Sequence, residues 1–426
     1  MRIFADYRKK GTMTGKVLIA SALALFACLN VDAQLNNQNT RAQQVQLNTL
    51  TTAVPFLMIA PDSRSGGIGD AGVALSADAS SIHWNPAKMA FAKNEFEMSM
   101  SYSPWLRKLV NDMNLAYLSG YKKLNKNQAI GGALRFFSLG EITFTDESGT
   151  AVRNFKPAEF SLDVAFSQRL SERFSGGIAA RFVNSNLTGG TPALGADTKP
   201  GRSVAVDVSA FYTNDDIELG SKDGILNFGL NISNIGAKMS YTETAERDFI
   251  PANLRLGTAL TLILDEYNQL TFTLDANKLL VPTPPVYSQE DGSEIVSGYD
   301  PNVGVATAIV QSFYDAPGIV TFDENNNPSV EAGSVLREEL REINLGGGME
   351  YVYDNQFAFR TGYFYEHYTK GNRQFMTLGA GLKYTTFAID LSYLISTTQQ
   401  NPLANTLRFS LRLEFENLKN TGRSEG

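Results

Sequence analysis

Cysteine occurs once in this 426-residue chain, and histidine and tryptophan twice each. The lone cysteine, Cys28, sits in an apolar run from Val17 to Leu29, which follows Arg8, Lys9, Lys10 and Lys16 and precedes Val31-Asp32-Ala33. A basic start, a short greasy stretch and small residues before a cut form the grammar of a secretory signal, here residues 1–33 with cleavage before Gln34. Met13 is an alternative start giving a more compact signal. As a membrane anchor the run is too short to span a bilayer comfortably. Leu25-Phe26-Ala27-Cys28 faintly resembles a lipoprotein acylation site, with bulky Phe26 where a small residue is expected. A mature chain from Gln34 would lack any disulfide, thiolate nucleophile or cysteine metal ligand.

Other scarcities narrow the function. His83 stands beside Trp84, and His367 follows Tyr363-Phe364-Tyr365, so no histidine metal cluster or catalytic triad is evident. Adjacent carboxylates such as Glu338-Glu339 read as an exposed helix face, and no catalytic constellation rises above background. The reading is therefore of a non-enzyme without metal or cofactor. Net charge is −7, and residues 1–33 hold five basic and two acidic residues, so cleavage takes it to −10. An acidic chain with no basic block is a poor partner for nucleic acid. Beyond the signal there is no apolar stretch of about 18 residues, so any crossing of a membrane falls to strands.

Alternation is what the chain does have. In Leu407-Arg408-Phe409-Ser410-Leu411-Arg412-Leu413-Glu414-Phe415 every odd position is apolar and every even one polar. Successive side chains of a strand point to opposite faces, so this segment has one face for lipid and one for a polar interior. The same period predicts strands near 95–103, 111–121, 127–138, 159–168, 173–184, 203–213, 224–235, 252–264, 268–278, 343–353, 356–366, 374–384, 386–395 and 405–415. Apolar faces run through Phe160, Leu162, Val164 and Phe166, through Val204, Val206 and Val208, through Leu254, Leu256, Leu260 and Leu262, and through Phe387, Ile389, Leu391 and Tyr393. Arg135, Asp163, Arg181, Asp207, Arg255, Asp275, Arg360, Asp390 and Arg408 fall on the opposite face. Nine charges in a closed soluble core would each need a partner. In a lumen they meet water or one another, and mixed signs point to a cross-lumen network. A soluble sandwich also alternates and stays open on pattern alone.

Connections after the second, fourth, eighth, tenth and twelfth strands are short, and that after the sixth is a medium link containing Asn214-Asp215-Asp216. Those after the third, fifth, seventh and ninth are long. This asymmetry and an even strand count predict an all-β fold, a transmembrane antiparallel β-barrel of 14 strands over 95–415 with both termini periplasmic. The longest insertion, 280–342, opens Pro282-Thr283-Pro284-Pro285, so it leaves the barrel extended. It contains an apolar helix over Val303–Tyr314 and an acidic one over Val335–Glu342. Its Ile309, Val310, Phe313, Tyr314, Ile319 and Val320 make it a candidate partner-binding loop.

Residues 34–94 read as a periplasmic lead, polar from Leu35 to Asn48, followed by a small-residue stretch that plugs the lumen. Residues 416–426 read as a periplasmic C-terminal tail. Gly67, Gly69 and Gly72, with Asp70, match dinucleotide-loop spacing, but no strand–turn–helix unit of a parallel sheet surrounds them, and tight lumen packing is the plainer reading. Asp323 to Pro328 echoes a calcium loop, with Pro328 where glycine is needed, and reads as a solvated turn.

The stretch ending Trp84-Asn85-Pro86-Ala87 resembles the N-terminal plug signature of FadL-type outer-membrane proteins. Asp62 to Ala74 and Ser81 to Ala87 more closely resemble the PorV family of the Bacteroidota type IX secretion system. That resemblance implies an integral outer-membrane protein with long loops at the cell surface. It implies partners too: the translocon barrel, the C-terminal domains of secreted cargo, and a surface attachment complex with a sortase that joins cargo to lipopolysaccharide. The wider superfamily implies an alternative, transport of hydrophobic small molecules. A lipopolysaccharide deacylase, the third reading, lacks a visible triad.

Overall fold

A computed structural model describes residues 47–106, 110, 112–145, 148–191, 197–243, 247–288, 293–323, 328–397 and 406–415. The expected signal, nearly all of the expected lead and the expected tail at 416–426 lie outside the described residues.

Among the described residues, fourteen antiparallel strands close into a barrel. They are β1 (Phe96–Pro104), β2 (Met113–Asn125), β3 (Gln128–Leu139), β4 (Ala158–Arg169), β5 (Phe174–Asn186), β6 (Gly201–Leu219) and β7 (Lys222–Gly236), then β8 (Asn253–Ile263), β9 (Asn268–Leu279), β10 (Asn344–Tyr353), β11 (Phe357–Tyr365), β12 (Gln374–Tyr384), β13 (Phe387–Ser396) and β14 (Leu407–Phe415). Each pairs with its sequence neighbours, and β14 returns to β1 with Phe96 opposite Phe415 and Tyr102 opposite Phe409. Closure leaves no edge, the condition for strands to stand in hydrocarbon.

The expected faces hold. Leu162, Val164, Val204, Val206, Leu256, Ile389 and Leu391 point outward and are exposed, whereas all nine parity charges are buried on the inner face. Aromatic residues crowd the outer rim near the short turns: Phe96 opposite Phe415, Phe174 opposite Tyr212, Tyr353 opposite Phe357 and Tyr384 opposite Phe387. Such a girdle marks the interfacial edge of an outer-membrane barrel.

Tight turns at 126–127, 170–173, 220–221, 264–267, 354–356 and 385–386 lie at one end, and the longer connections at the other. The expected medium link at Asn214–Asp216 is instead inside an elongated hairpin. Pairing slips between Asn214 and Ile217 and resumes to Leu219 opposite Lys222. A bulge lets the strands run past polar residues without giving up the ladder.

The insertion after β9 leaves the barrel extended through the prolines. It then forms two small hairpins (Val286–Tyr287 with Ile295–Ser297, and Val320–Phe322 with Pro328–Val330) and two helices, Val305–Gln311 and Ser334–Arg341. Both helices fall where expected. Of the turn read at Asp323–Pro328, residues 324–327 lie outside the described residues.

Candidate functional site

Residues 48–94 have little regular structure, yet almost every residue from Ala60 to Ala92 is buried. Irregular backbone carries unpaired N–H and C=O groups that must find partners once shielded from water. Here the inward side chains of the wall supply them. Arg135 of β3 donates from Nη1 to the carbonyls of Leu57 (2.8 Å) and Phe56 (3.1 Å). Asn227 and Asn231 of β7 donate to the carbonyls of Ala74 (3.2 Å) and Trp84 (3.1 Å). Arg255 of β8 donates to His83 O at 3.1 Å and lies over the Trp84 ring. From β9, Asp275 Oδ2 accepts from the Gly72 and Val73 amides at 2.7 and 2.9 Å.

Local sequence explains the short turns within this segment. Asp62 caps the helix Ser63–Gly66 by accepting from Ser65 N, and its other oxygen accepts from the Trp84 indole at 2.7 Å. Asn85 caps the 3₁₀ turn Pro86–Phe91 by accepting from Ala87 N, with Pro86 at the first position, where a missing N–H costs nothing. The Asn85 amide donates onward to Val73 O and to Ala210 O of β6. Asn-Pro-Ala is thus a joint holding two turns of the segment against the wall. The glycines pack tightly against the wall. Gly69, at φ +70°, nests against the backbones of Gly346 and Gly362, where a side chain on any of the three would strike its neighbour.

Of the sequence-predicted residues, Gly72, Trp84, Asn85 and Pro86 come together, since the Trp84 ring lies against Gly72. Gly67, Gly69 and Asp70 lie on the far side, against β10–β12 and β14. There Asp70 pairs with Arg408 at 2.5 Å and Gly69 N donates to Thr377 Oγ1 at 2.8 Å. Lys88, not anticipated, donates to Gly72 O at 2.6 Å, and burial lowers its pKa to about 8. Burial, reinforced by Arg135 and Arg255, holds His83 well below the usual imidazole range, so its Nδ1 accepts from Arg135 Nη2 at 2.7 Å. Among the described residues no group of three or more His, Cys, Asp or Glu could hold a metal ion.

The wall charges do not bridge the lumen as expected. They form lateral ladders. Arg181 of β5 sits between Asp163 of β4 (2.7 Å) and Asp207 of β6 (3.1 Å), while Arg360 meets Glu350 (2.7 Å) and Asp390 (2.6 Å). The physical reason is that the buried segment 48–94 takes the remaining charges, as when Asp70 pairs with Arg408 at 2.5 Å.

The two mouths differ. At the short-turn end a polar cavity of about 1260 Å³ opens, lined by Arg64, Glu97, Lys123, Arg360, Lys383 and Arg412, among others. At the long-loop end the insertion is locked down by buried carboxylates. Glu339 and Glu342 accept from Lys278 (3.1 and 2.7 Å), and Glu338 and Glu342 from Lys370 (2.6 and 2.9 Å). Glu338 and Glu339, read from sequence as an exposed helix face, are therefore buried, 9% and 8% exposed, because distant lysines neutralise them. Of the predicted loop residues, Val310, Phe313 and Tyr314 are exposed and Ile309, Ile319 and Val320 half-buried.

Asn48 is also at this end. Its N–H donates to Thr369 O, and its side chain donates to Pro284 O and Glu338. The described chain therefore begins beside the long loops, whereas β1 starts among the short turns. A lead on the short-turn side does not anticipate that position.

The family model for the type IX secretion system protein PorV matches residues 41–286, more than half of the chain. The chain belongs to the PorV family. No curated protein matches the sequence. Similar solved structures include the Pseudomonas putida toluene transporter TodX, with 12% identity and a TM-score of 0.45, covering 84% of this chain and 99% of that one. Others are the Ralstonia pickettii toluene transporter TbuX (8%, TM-score 0.44, 83% and 98%) and a Pseudomonas aeruginosa FadL homologue (12%, TM-score 0.41, 87% and 100%). Likenesses of this degree say nothing about what a PorV-family barrel binds. PorV membership and the closed barrel make this a secretion-system protein of the outer membrane.

Proposed function

We propose that the chain binds the C-terminal domain of secreted cargo at the type IX translocon and carries it to a surface attachment complex containing a sortase. The observation that carries this reading is the family match. In it, segment 48–94 is a plug, the long loops face the cell surface, and the short-turn cavity faces the periplasm. The insertion 280–342, with Val310, Phe313 and Tyr314 exposed, is the element that meets translocon or cargo.

Transport of hydrophobic small molecules draws less support. Such a route needs a greasy pocket through the lumen, and the inner face here carries paired charges and a segment bonded to most of the wall. Deleting 280–342 should abolish cargo secretion while the barrel still inserts; normal secretion refutes the assignment. Mass spectrometry of the barrel pulled from detergent-solubilised outer membrane separates the two readings. Cargo C-terminal domains support the shuttle, and bound fatty acids the transporter.

A further inference from the structure

The insertion reaches over the rim onto the outer face of the wall. Lys278 shows this. It shares the parity of Phe272 and Leu274, both outward and exposed, and pairs across the ladder with Leu254, which also points out. A lysine at that position would stand at the edge of hydrocarbon. Instead Glu339 and Glu342 of the insertion neutralise it, and the Phe313 ring lies 5.9 Å from its ammonium.

A crevice of about 400 Å³ opens beside this contact, between Ile235, Gly236 and Ala237 at the end of β7 and Val305, Ala306 and Ile309 of the insertion. Ile235 lies directly opposite Val206, whose side chain is 47% exposed on the outer face, so the crevice continues the lipid-facing surface. No lining side chain donates or accepts a hydrogen bond. The insertion side is equally bare of charge: residues 301–314 contain no Asp, Glu, Lys or Arg. Ala306, Val310 and Phe313 are exposed one helical turn apart, and Tyr314 packs edge-on against Tyr299 beside them. Tyrosine at the margin of an apolar stripe is the composition of a membrane interface.

We propose that this crevice holds an acyl chain of the surrounding lipid, and that helix Val305–Gln311 lies in the outer leaflet. Lipid is the occupant these observations favour, because the walls are continuous with surface that already faces hydrocarbon. The site requires only that the barrel stand in a membrane with its long loops outward, so it survives failure of the cargo reading.

The test uses the full chain in nanodiscs of phosphatidylethanolamine carrying a photoactivatable diazirine on one acyl chain, with crosslinks mapped by mass spectrometry. Crosslinks in both 235–237 and 305–309 are expected. Ala306→Phe, which fills the crevice, should lose those at 235–237 while keeping those on the open wall at Leu162 and Val164. Crosslinks confined to the open wall overturn the proposal, as does labelling at 235–237 that Ala306→Phe leaves unchanged. Retained heat-modifiable mobility of the variant shows that the barrel is folded. If residues 305–309 escape lipid label and are shielded only when translocon is added, the occupant is protein and the proposal fails.

Discussion

The two mouths of this barrel are built from the same materials and do opposite things. At the short-turn end Arg412, Glu97, Lys383 and Glu414 line an open cavity, and Lys383 keeps about a third of its surface in water, 32%. At the long-loop end Lys278, Lys370, Glu338, Glu339 and Glu342 are drawn under an insertion and almost wholly desolvated. Water reaches Lys383, so its pair with Glu414 contributes little. The second set depends on every partner being present, since a buried charge without its counter-ion is costly. The first mouth is therefore tolerant of change at Lys383, and the other acts as a latch.

The difference is broken most completely if the ends are assigned to the wrong sides of the membrane. Cysteines replacing Thr51 and Leu336, both exposed at the long-loop end, should react with a membrane-impermeant maleimide on intact cells. One replacing Gln356, in a short turn, should react only after permeabilisation. The opposite pattern inverts the barrel. Reaction at Leu336 without Thr51 would mean that the chain around Thr51 does not enter from the loop side.

Next in size is the latch. Lys278→Met leaves Glu339 buried with no cation and Glu342 with Lys370 alone, and breaking such a buried cluster costs about 3–5 kcal/mol. Limited proteolysis should then cut within 280–342 while β1–β14 remain protected. Unchanged protection of the insertion would show that its docking does not rest on these pairs.

Smaller is the pH response of the same end. Asp315, in the insertion, accepts from Thr283 N, and burial beside Glu339 and Glu342 raises its pKa to about 6 from an ordinary 3.8. A carboxyl that binds its proton more tightly when docked than when free adds stability as pH falls from above 6 towards 4. Protection of the insertion should weaken as pH rises through about 6, and Asp315→Asn should flatten that dependence. An identical slope in the variant places the titration elsewhere.

The wall was legible because lipid imposes a strict rule on it. Outward residues such as Val204 and Val208 must be apolar and inward ones are free to carry Asp207, so period two betrays every strand. The small-residue stretch around Asn85 reads as lumen filling because it is too polar for lipid. What it bonds to was half visible: Arg135, Arg255 and Asp275 stood out as inward charges, but not as donors and acceptors for backbone 100 residues or more away in most cases. The latch was invisible. Helical spacing placed Glu338 and Glu339 on a solvent face, and nothing local to Ser334–Arg341 announces Lys370 or Lys278. The direction in which Asn48 enters was hidden for the same reason, since its partners at Thr369 and Pro284 are set by tertiary contacts alone.

The smallest expected effect comes from the open mouth. Lys383 approaches Glu414 at 2.5 Å, a short contact, and in a closed site Lys383→Met would cost as much as Lys278→Met. Here solvent reaches the lysine, and Glu414 keeps Arg412 at 3.0 Å when the lysine is gone. The loss should stay below about 1 kcal/mol, the range of exposed pairs, and shrink further as salt is raised. Urea unfolding of the two variants side by side, followed by loss of heat-modifiable mobility and by cleavage within 280–342, gives the comparison directly. Should Lys383→Met destabilise the barrel as much as Lys278→Met loosens the insertion, the short-turn cavity is drier than its lining implies, and the two ends share one electrostatic regime.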